Sequence, residues 1–238
     1  MSSIVVLSTD TAHHRYFLNR IADAGIAVSG CVFETTSVQP PFEIGPVYDD
    51  DEAAYEAKHF FSDTRDDLER LDIQSVPNFN EPDAHDKITA FRPTLGVVFG
   101  ARRLTPETIS LFPDGLINVH RGIAQAYRGL DSDLWAIYHR DYDNLGTTIH
   151  LIDERLDTGA IIAQQRMKLT ADTRCHQIRF HTTMLATNMV IKALQDYLTG
   201  KLTTYEQEAE GRYYSFMPKV LKQIVAQRFD RHCEGLGA

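Results

Sequence analysis

Apolar residues fall along this chain in short runs separated by polar, Gly- or Pro-marked breaks, and the runs alternate between strand-like and helical spacing. Residues 4–7 (IVVL) are a β-branched run ending in the polar STDT. Residues 12–25 carry Phe17, Leu18 and Ile21 at helical spacing and stop at Gly25, a C-terminal cap. Residues 26–33 (IAVSGCVF) read as a second strand, and strand–helix–strand predicts a βαβ unit and a parallel sheet. The alternation continues with strands at 73–79, 94–100 and 115–120, and helices at 82–91 and 105–112. Thr105 is the N-cap of the latter helix and Pro106 its first residue. A helix at 131–140 and strands at 146–152 and 159–169 follow. Residues 35–72 interrupt this order: a Pro-rich, acidic excursion leads into a helix from about Glu52 to Leu71 with imperfect apolar spacing. The clearest helix is 172–199, where Ile178, Leu185, Met189, Leu194 and Leu198 form one core-facing stripe. The tail from Thr203 suggests a small strand pair and a basic terminal helix. The expectation is an α/β sheet over residues 1–200 with a C-terminal strand/helix extension over 201–238.

Composition narrows the partners. At 238 residues, 43% hydrophobic and 24% charged, the chain is long and apolar enough for a real core. A formal net charge of −9 repels nucleic-acid phosphates over most of the surface, while leaving room for a local basic pocket. Cys31, Cys175 and Cys233 fit neither a disulfide framework nor a zinc spacing, so a reducing cytoplasm is the simplest setting. No apolar run approaches membrane-spanning length, and the first residues lack the pattern of a signal peptide. A cytoplasmic protein without nucleic-acid or membrane partners is expected.

The first strand–helix turn, STDTAHHRYF, contains no glycine, which argues against a dinucleotide fingerprint. It does place His13, His14 and Arg15 at a helix start, where they read either as an anion cradle or as an exposed polar cap. Farther on, Asn118 and His120 alternate with Ile117 and Val119, so the polar pair shares one side of a strand. Downstream, GTTIHLIDERLDTG sets Asp157 in a tight turn. Strand ends in open α/β sheets converge on one crevice. An amide, an imidazole and a carboxylate meeting there suit acyl transfer: oxyanion donor, proton carrier and a charge that orients it.

The linked motifs NVH, YRG, WAI and GTTIHLIDERLDTGAII, spread over residues 94–165, resemble the folate-dependent formyltransferases. The resemblance implies a Rossmann-like, mostly parallel sheet flanked by helices, 10-formyltetrahydrofolate as donor and an amine as acceptor, with no metal. It carries Asn118 to the oxyanion donor, His120 to the acid/base and Asp157 to its partner. The pterin would lie against backbone at Gly100, Arg102 and Leu104 and at Ile152, Asp153 and Glu154. His150 matches a family position too, although on a strand beside Ile149 it reads equally as a core histidine. One departure stands out. Members commonly follow the histidine with Pro-Ser-Leu-Leu-Pro, whereas here Arg121-Gly122-Ile123-Ala124-Gln125 follows.

The family's acceptors differ. Initiator Met-tRNA would call for a further C-terminal domain and a basic surface, and glycinamide ribonucleotide for a glycine-rich first turn. The remaining group formylates nucleotide-linked amino sugars, such as a GDP- or dTDP-4-amino-4,6-dideoxy sugar for surface polysaccharide (O-antigen, lipopolysaccharide). For that substrate Arg128, Asp131 and Ser132 are candidate sugar or diphosphate contacts, although the last two also suit a helix cap. Tyr214, with Tyr213 and Phe216, would stack on a base or else cover the core or the seam of a homodimer. The alternative of another class is a folate- or nucleotide-binding regulatory module, against which the complete Asn/His/Asp set argues.

Overall fold

Every side chain of β1 (Ile4–Ser8) is buried, as a central strand covered on both faces requires. The computed structural model describes residues 2–62, 65–153 and 155–237. Ile4 and Val6 face one layer, with Phe17, Leu18 and Ile21 of α1 (Ala12–Asp23) and Ala186, Val190 and Leu194 of α6 (Ile178–Leu198). Val5 and Leu7 face the other, with Ala84 and Ile88 of α3 (Pro82–Ala90) and Phe112 beyond α4 (Pro106–Ile109). The two-residue period of one strand thus builds both halves of the core.

The main sheet runs β3 (Ile73–Val76), β2 (Gly30–Glu34), β1, β4 (Leu95–Val98), β5 (Leu116–His120), β7 (Gly146–Leu151) and β8 (Ile161–Arg166). The pairs from β3 through β5 are parallel, and β7 and β8 are antiparallel additions. This is the mostly parallel, Rossmann-like α/β sheet expected. Its order reverses between β1 and β4, which opens a crevice at the carboxyl ends of those strands. Among the described residues no helix is long and apolar enough to cross a membrane.

Several elements differ from their sequence reading. The second strand begins only at Gly30. The helix expected from Glu52 to Leu71 is α2 (Asp49–His59). Four acidic residues, Asp49 to Glu52, fill its first turn, where the helix dipole favours negative charge. Its apolar spacing is imperfect because its inward face is charged: Glu52 and Glu56 both pair with Arg179 of α6, each at 2.6 Å. In α6 the buried face is made of Thr182, Thr183, Ala186, Thr187 and Ala193 as much as of large residues, and Leu198, assigned to the stripe, is exposed. Thr182 and Thr187 satisfy their hydroxyls on the carbonyls of Ile178 and Thr183, which lets the helix lie close to the sheet.

The tail folds back onto the body. Its strand β9 (Arg212–Tyr214) does not pair within the tail but runs parallel to β6 (Tyr127–Gly129), a three-residue strand with no pattern of its own. Helix α7 (Lys219–Glu234) packs Val225, Phe229 and Cys233 against Leu134 and Ile137 of α5 (Ser132–Tyr138). All three cysteines are free and buried.

Candidate active site

Leu116, Asn118 and His120 form one row of β5. Where α3 and Phe112 stop covering that row, its last two members meet a cavity of about 230 Å³. Antiparallel pairing sets His150 of β7 directly opposite Asn118. The turn after β7 then brings Asp157 over the pair, in a left-handed backbone conformation at φ 54° that a non-glycine residue seldom adopts. Gly159 closes this turn, since a Cβ there would stand 1.9 Å from the carbonyl oxygen of Leu151.

The hydrogen bonds assign the tautomers. His120 Nε2 lies 2.8 Å from the carbonyl oxygen of Tyr127, which can only accept, so Nε2 carries the proton. Nδ1 of the same ring is 3.5 Å from Asp157 Oδ2, a charge contact rather than a good hydrogen bond. His150 donates from Nδ1 to the carbonyl of Leu151 at 2.8 Å, and its Nε2 accepts from Asn118 Nδ2 at 3.1 Å. Asn118 Nδ2 also donates to Asp157 Oδ1 at 3.2 Å, and the Gly129 N–H donates to Asp157 Oδ2 at 2.8 Å. Burial pushes the Asp157 carboxyl up. The Gly129 N–H and, in their protonated forms, the His120 and His150 rings pull it down further, and it ends well below the usual carboxylate range. Asp157 is therefore a fixed negative charge at neutral pH.

The three residues read from the motifs come together, and His150 joins them. Its clue was the strand register, which the sequence does not display. Gly100, Arg102, Leu104, Ile152 and Asp153 line the same cavity, as do Asp131 and Ser132. Glu154 lies outside the described residues. Residues 98–104 form one wall of the cavity, and Ile152, Asp153, Arg155 and Leu156 form another. Gly100, at φ 79°, packs against His14, whose ring a Cβ would meet at 2.5 Å. Arg102 turns its guanidinium to Glu34 at 2.6 Å and to Thr36. Asp153 caps its own turn through the Arg155 N–H and the Thr158 hydroxyl.

His13, His14, Arg15, Arg128 and Tyr214 do not line this cavity, and Asp131 and Ser132 reach it with their polar groups already engaged. His13 and His14 are buried, and burial together with Arg179 and Arg121 lowers both, His14 to about 3, so they carry no charge for an anion. Arg15 turns to Asp66 and Asp10, at 2.9 and 3.0 Å. Burial of the two rings and the pairing of Arg15 with Asp66 and Asp10 weigh against an anion cradle at the first turn. Arg128 is a strut, bonded to the carbonyls of Gly211 and Leu156 and to Glu210. Tyr214 stacks on Trp135 and bonds His139, so its ring is already occupied. Asp131 holds the tail, accepting from the Met217 N–H and from Lys222. Ser132 is a buried neighbour of Gly122 and bonds the Gly129 carbonyl. Among the described residues no group of three or more His, Cys, Asp or Glu is placed to hold a metal ion.

Sheet, crevice and clustered polar groups define a class, the α/β proteins that bind a small ligand at the head of a mostly parallel sheet. Within it, the family model described as Formyl transferase matches residues 47–194, and the chain belongs to that family. It is 30% identical over 137 residues to a methionyl-tRNA formyltransferase of Roseiflexus sp. (strain RS-1), covering 57% of this chain and 42% of that protein. The chain matches half or less of the length of its curated relatives. In fold it is similar to a 4-N formyltransferase from Francisella tularensis (TM-score 0.64, 16% identity, 94% of this chain and 87% of that one). A sugar N-formyltransferase from Shewanella sp FDAARGOS_354 is equally similar (TM-score 0.65, 14% identity, 96% and 87%).

Proposed function

We propose that this protein transfers the formyl group of 10-formyltetrahydrofolate to the amino group of a nucleotide-linked amino sugar, such as a GDP- or dTDP-4-amino-4,6-dideoxy sugar. The observation that carries the reading is the convergence of Asn118, His120, His150 and Asp157 on one cavity beside two chain segments. Peptide groups of these segments would suit the donor and acceptor edge of a pterin, and Gly100 lets its segment pack against His14. When bound, 10-formyltetrahydrofolate supplies an acyl carbon open to attack by an amine. Segments 100–104 and 152–156 would hold it.

The protein's own groups do the rest. His120 is held by the Tyr127 carbonyl, so Nδ1 is the nitrogen that would take the amine proton and give it to the leaving folate nitrogen as the formyl carbon–nitrogen bond of the donor breaks. Asp157, 3.5 Å away, stabilises the imidazolium that results. Asn118 supplies an N–H to the oxygen that gains charge. Its present bonds are long, and turning one costs about 1 kcal/mol against the larger gain of meeting an oxyanion. His150, a fixed acceptor, aims that amide.

The sugar acceptor is supported by the fold likeness to sugar N-formyltransferases over 94–96% of the chain. The curated relatives favour a tRNA acceptor instead, and a net charge of −9 weighs against it. Incubation with 10-formyltetrahydrofolate and nucleotide-linked 4-amino sugars, with glycinamide ribonucleotide and Met-tRNA as parallel arms, tests the choice by mass spectrometry. Product in a parallel arm and none from the sugars would overturn it. A cytoplasmic homodimer through the tail belongs to the same reading, supported by the exposed side chains of Tyr205, Val220 and Ile224 and checked by light scattering.

A further inference from the structure

Arg121 and Asp131 line the active-site cavity and also a second one, of about 130 Å³. The second cavity is walled by side chains from separate elements: Tyr48, Glu52 of α2, Asp133 of α5, Arg179 of α6 and Lys222 of α7. Most of its charges are spent on one another. Arg179 pairs with Glu52 and Glu56, and Lys222 with Asp131.

Apart from the exposed Asp49, which accepts from the Val47 N–H, two charges are not spent. Asp133 is 5% exposed, and its only partner among the described residues is the Leu134 N–H, on Oδ1 at 2.8 Å. The Arg121 guanidinium has no hydrogen bond or ion pair among the described residues, and it does not reach Asp133. A buried carboxylate without a cation is costly unless a bound group supplies the missing donors. Nearby, burial pushes the Glu52 carboxyl up to about 7, against the pull of Arg179 and Arg121.

We propose that this second cavity is the acceptor subsite, in which Asp133 binds the hydroxyls of an amino-sugar ring and Arg121 binds the phosphate attached to it. The inference rests on the amine-transfer reading above. Its volume is well below the roughly 300–1,000 Å³ that encloses a drug-sized ligand, so it admits a single ring and leaves a nucleoside outside. Arg121 follows His120 in the chain. A ring seated there therefore presents its amine at the junction of the two cavities, beside His120 and Asn118. The residues that depart from the family's wording after the histidine begin at Arg121, the position that would read the substrate's phosphate.

The test uses the full chain with dTDP-4-amino-4,6-dideoxyglucose as acceptor and, separately, 4-amino-4,6-dideoxyglucose 1-phosphate as a calorimetric ligand in the presence of tetrahydrofolate. Asp133→Asn should raise the acceptor KM at least 10-fold, with kcat within about 3-fold and tetrahydrofolate affinity unchanged. Arg121→Gln, at a partly exposed residue without partners, serves if the first variant does not fold. It should weaken sugar phosphate at least 10-fold while leaving the unphosphorylated amino sugar unaffected. Wild-type binding of the sugar phosphate without turnover, lost in both variants, would support the subsite and overturn the transfer reading. Turnover with unchanged acceptor KM in both variants, or no binding of the sugar phosphate at all, would overturn the subsite.

Discussion

The two cavities that meet at Arg121 are made of different material. One is walled by two chain segments, with Asn118, His150 and Asp157 joined by hydrogen bonds at its edge and His120 beside them. The other is walled by charged side chains from four helices and a loop. A wall of peptide groups tolerates sequence change, because every residue supplies the same N–H and C=O. A wall of side chains changes with each substitution. This difference suits a shared donor on one side and a variable acceptor on the other.

The largest expected effect is at the polar edge. Asn118→Ala should lower kcat by roughly 100- to 1,000-fold with little change in the KM of either substrate, as removal of an oxyanion donor does. Steady-state kinetics checks it, and a pure KM effect would put Asn118 in binding instead. The next effect belongs to the charged chamber. Glu52, raised above its unfolded value of about 4.5, contributes stability that is complete below that pH and is lost as pH rises through about 7. Across that window wild type should lose up to about 3 kcal/mol relative to Glu52→Gln in urea unfolding. A constant gap between the two curves would show that the side chain does not change its proton on folding.

A third prediction probes the wall at 98–104. Gly100→Ala places a Cβ against His14 in a left-handed backbone, so it should destabilise by about 2 kcal/mol and raise the donor KM. An acceptor KM raised alone would break the division between the cavities. The smallest effect is remote. Gln207 of the tail donates to the carbonyls of Asp157 and Gly159, both at 2.9 Å. Gln207→Ala should cost about 1 kcal/mol and lower kcat several-fold, because it loosens the turn that aims Asp157. An unchanged kcat would show that the turn holds itself.

The same division explains what the sequence made legible. The two-residue period of β5 placed Asn118 and His120 on one face, and Leu-Asp-Thr-Gly announced a turn, so the grouping of these polar residues could be read from spacing, while their proposed roles came from the family resemblance. His150 was ambiguous because its role depends on which residue of β5 it opposes, and strand register is a tertiary fact. The inward face of α2 was obscured by Glu52 and Glu56, whose partner Arg179 lies more than a hundred residues away. Arg128 and Tyr214 were plausible ligand contacts only because nothing local revealed that Gly211 and His139 already engage them. The tail's pairing with β6 was hidden for a related reason: three residues are too few to carry a period.

That pairing has a consequence for how the protein comes to be active. Gly129 donates to Asp157 from a strand that only β9 completes, and Gln207 and Arg128 fix the backbone on either side of the same carboxylate. All the strands of the main sheet precede residue 167. During synthesis the sheet can therefore form with its motif residues present and its carboxylate not yet aimed. A single proteolytic cut in the exposed stretch around residues 208–210 would return the finished enzyme toward that state without touching its core.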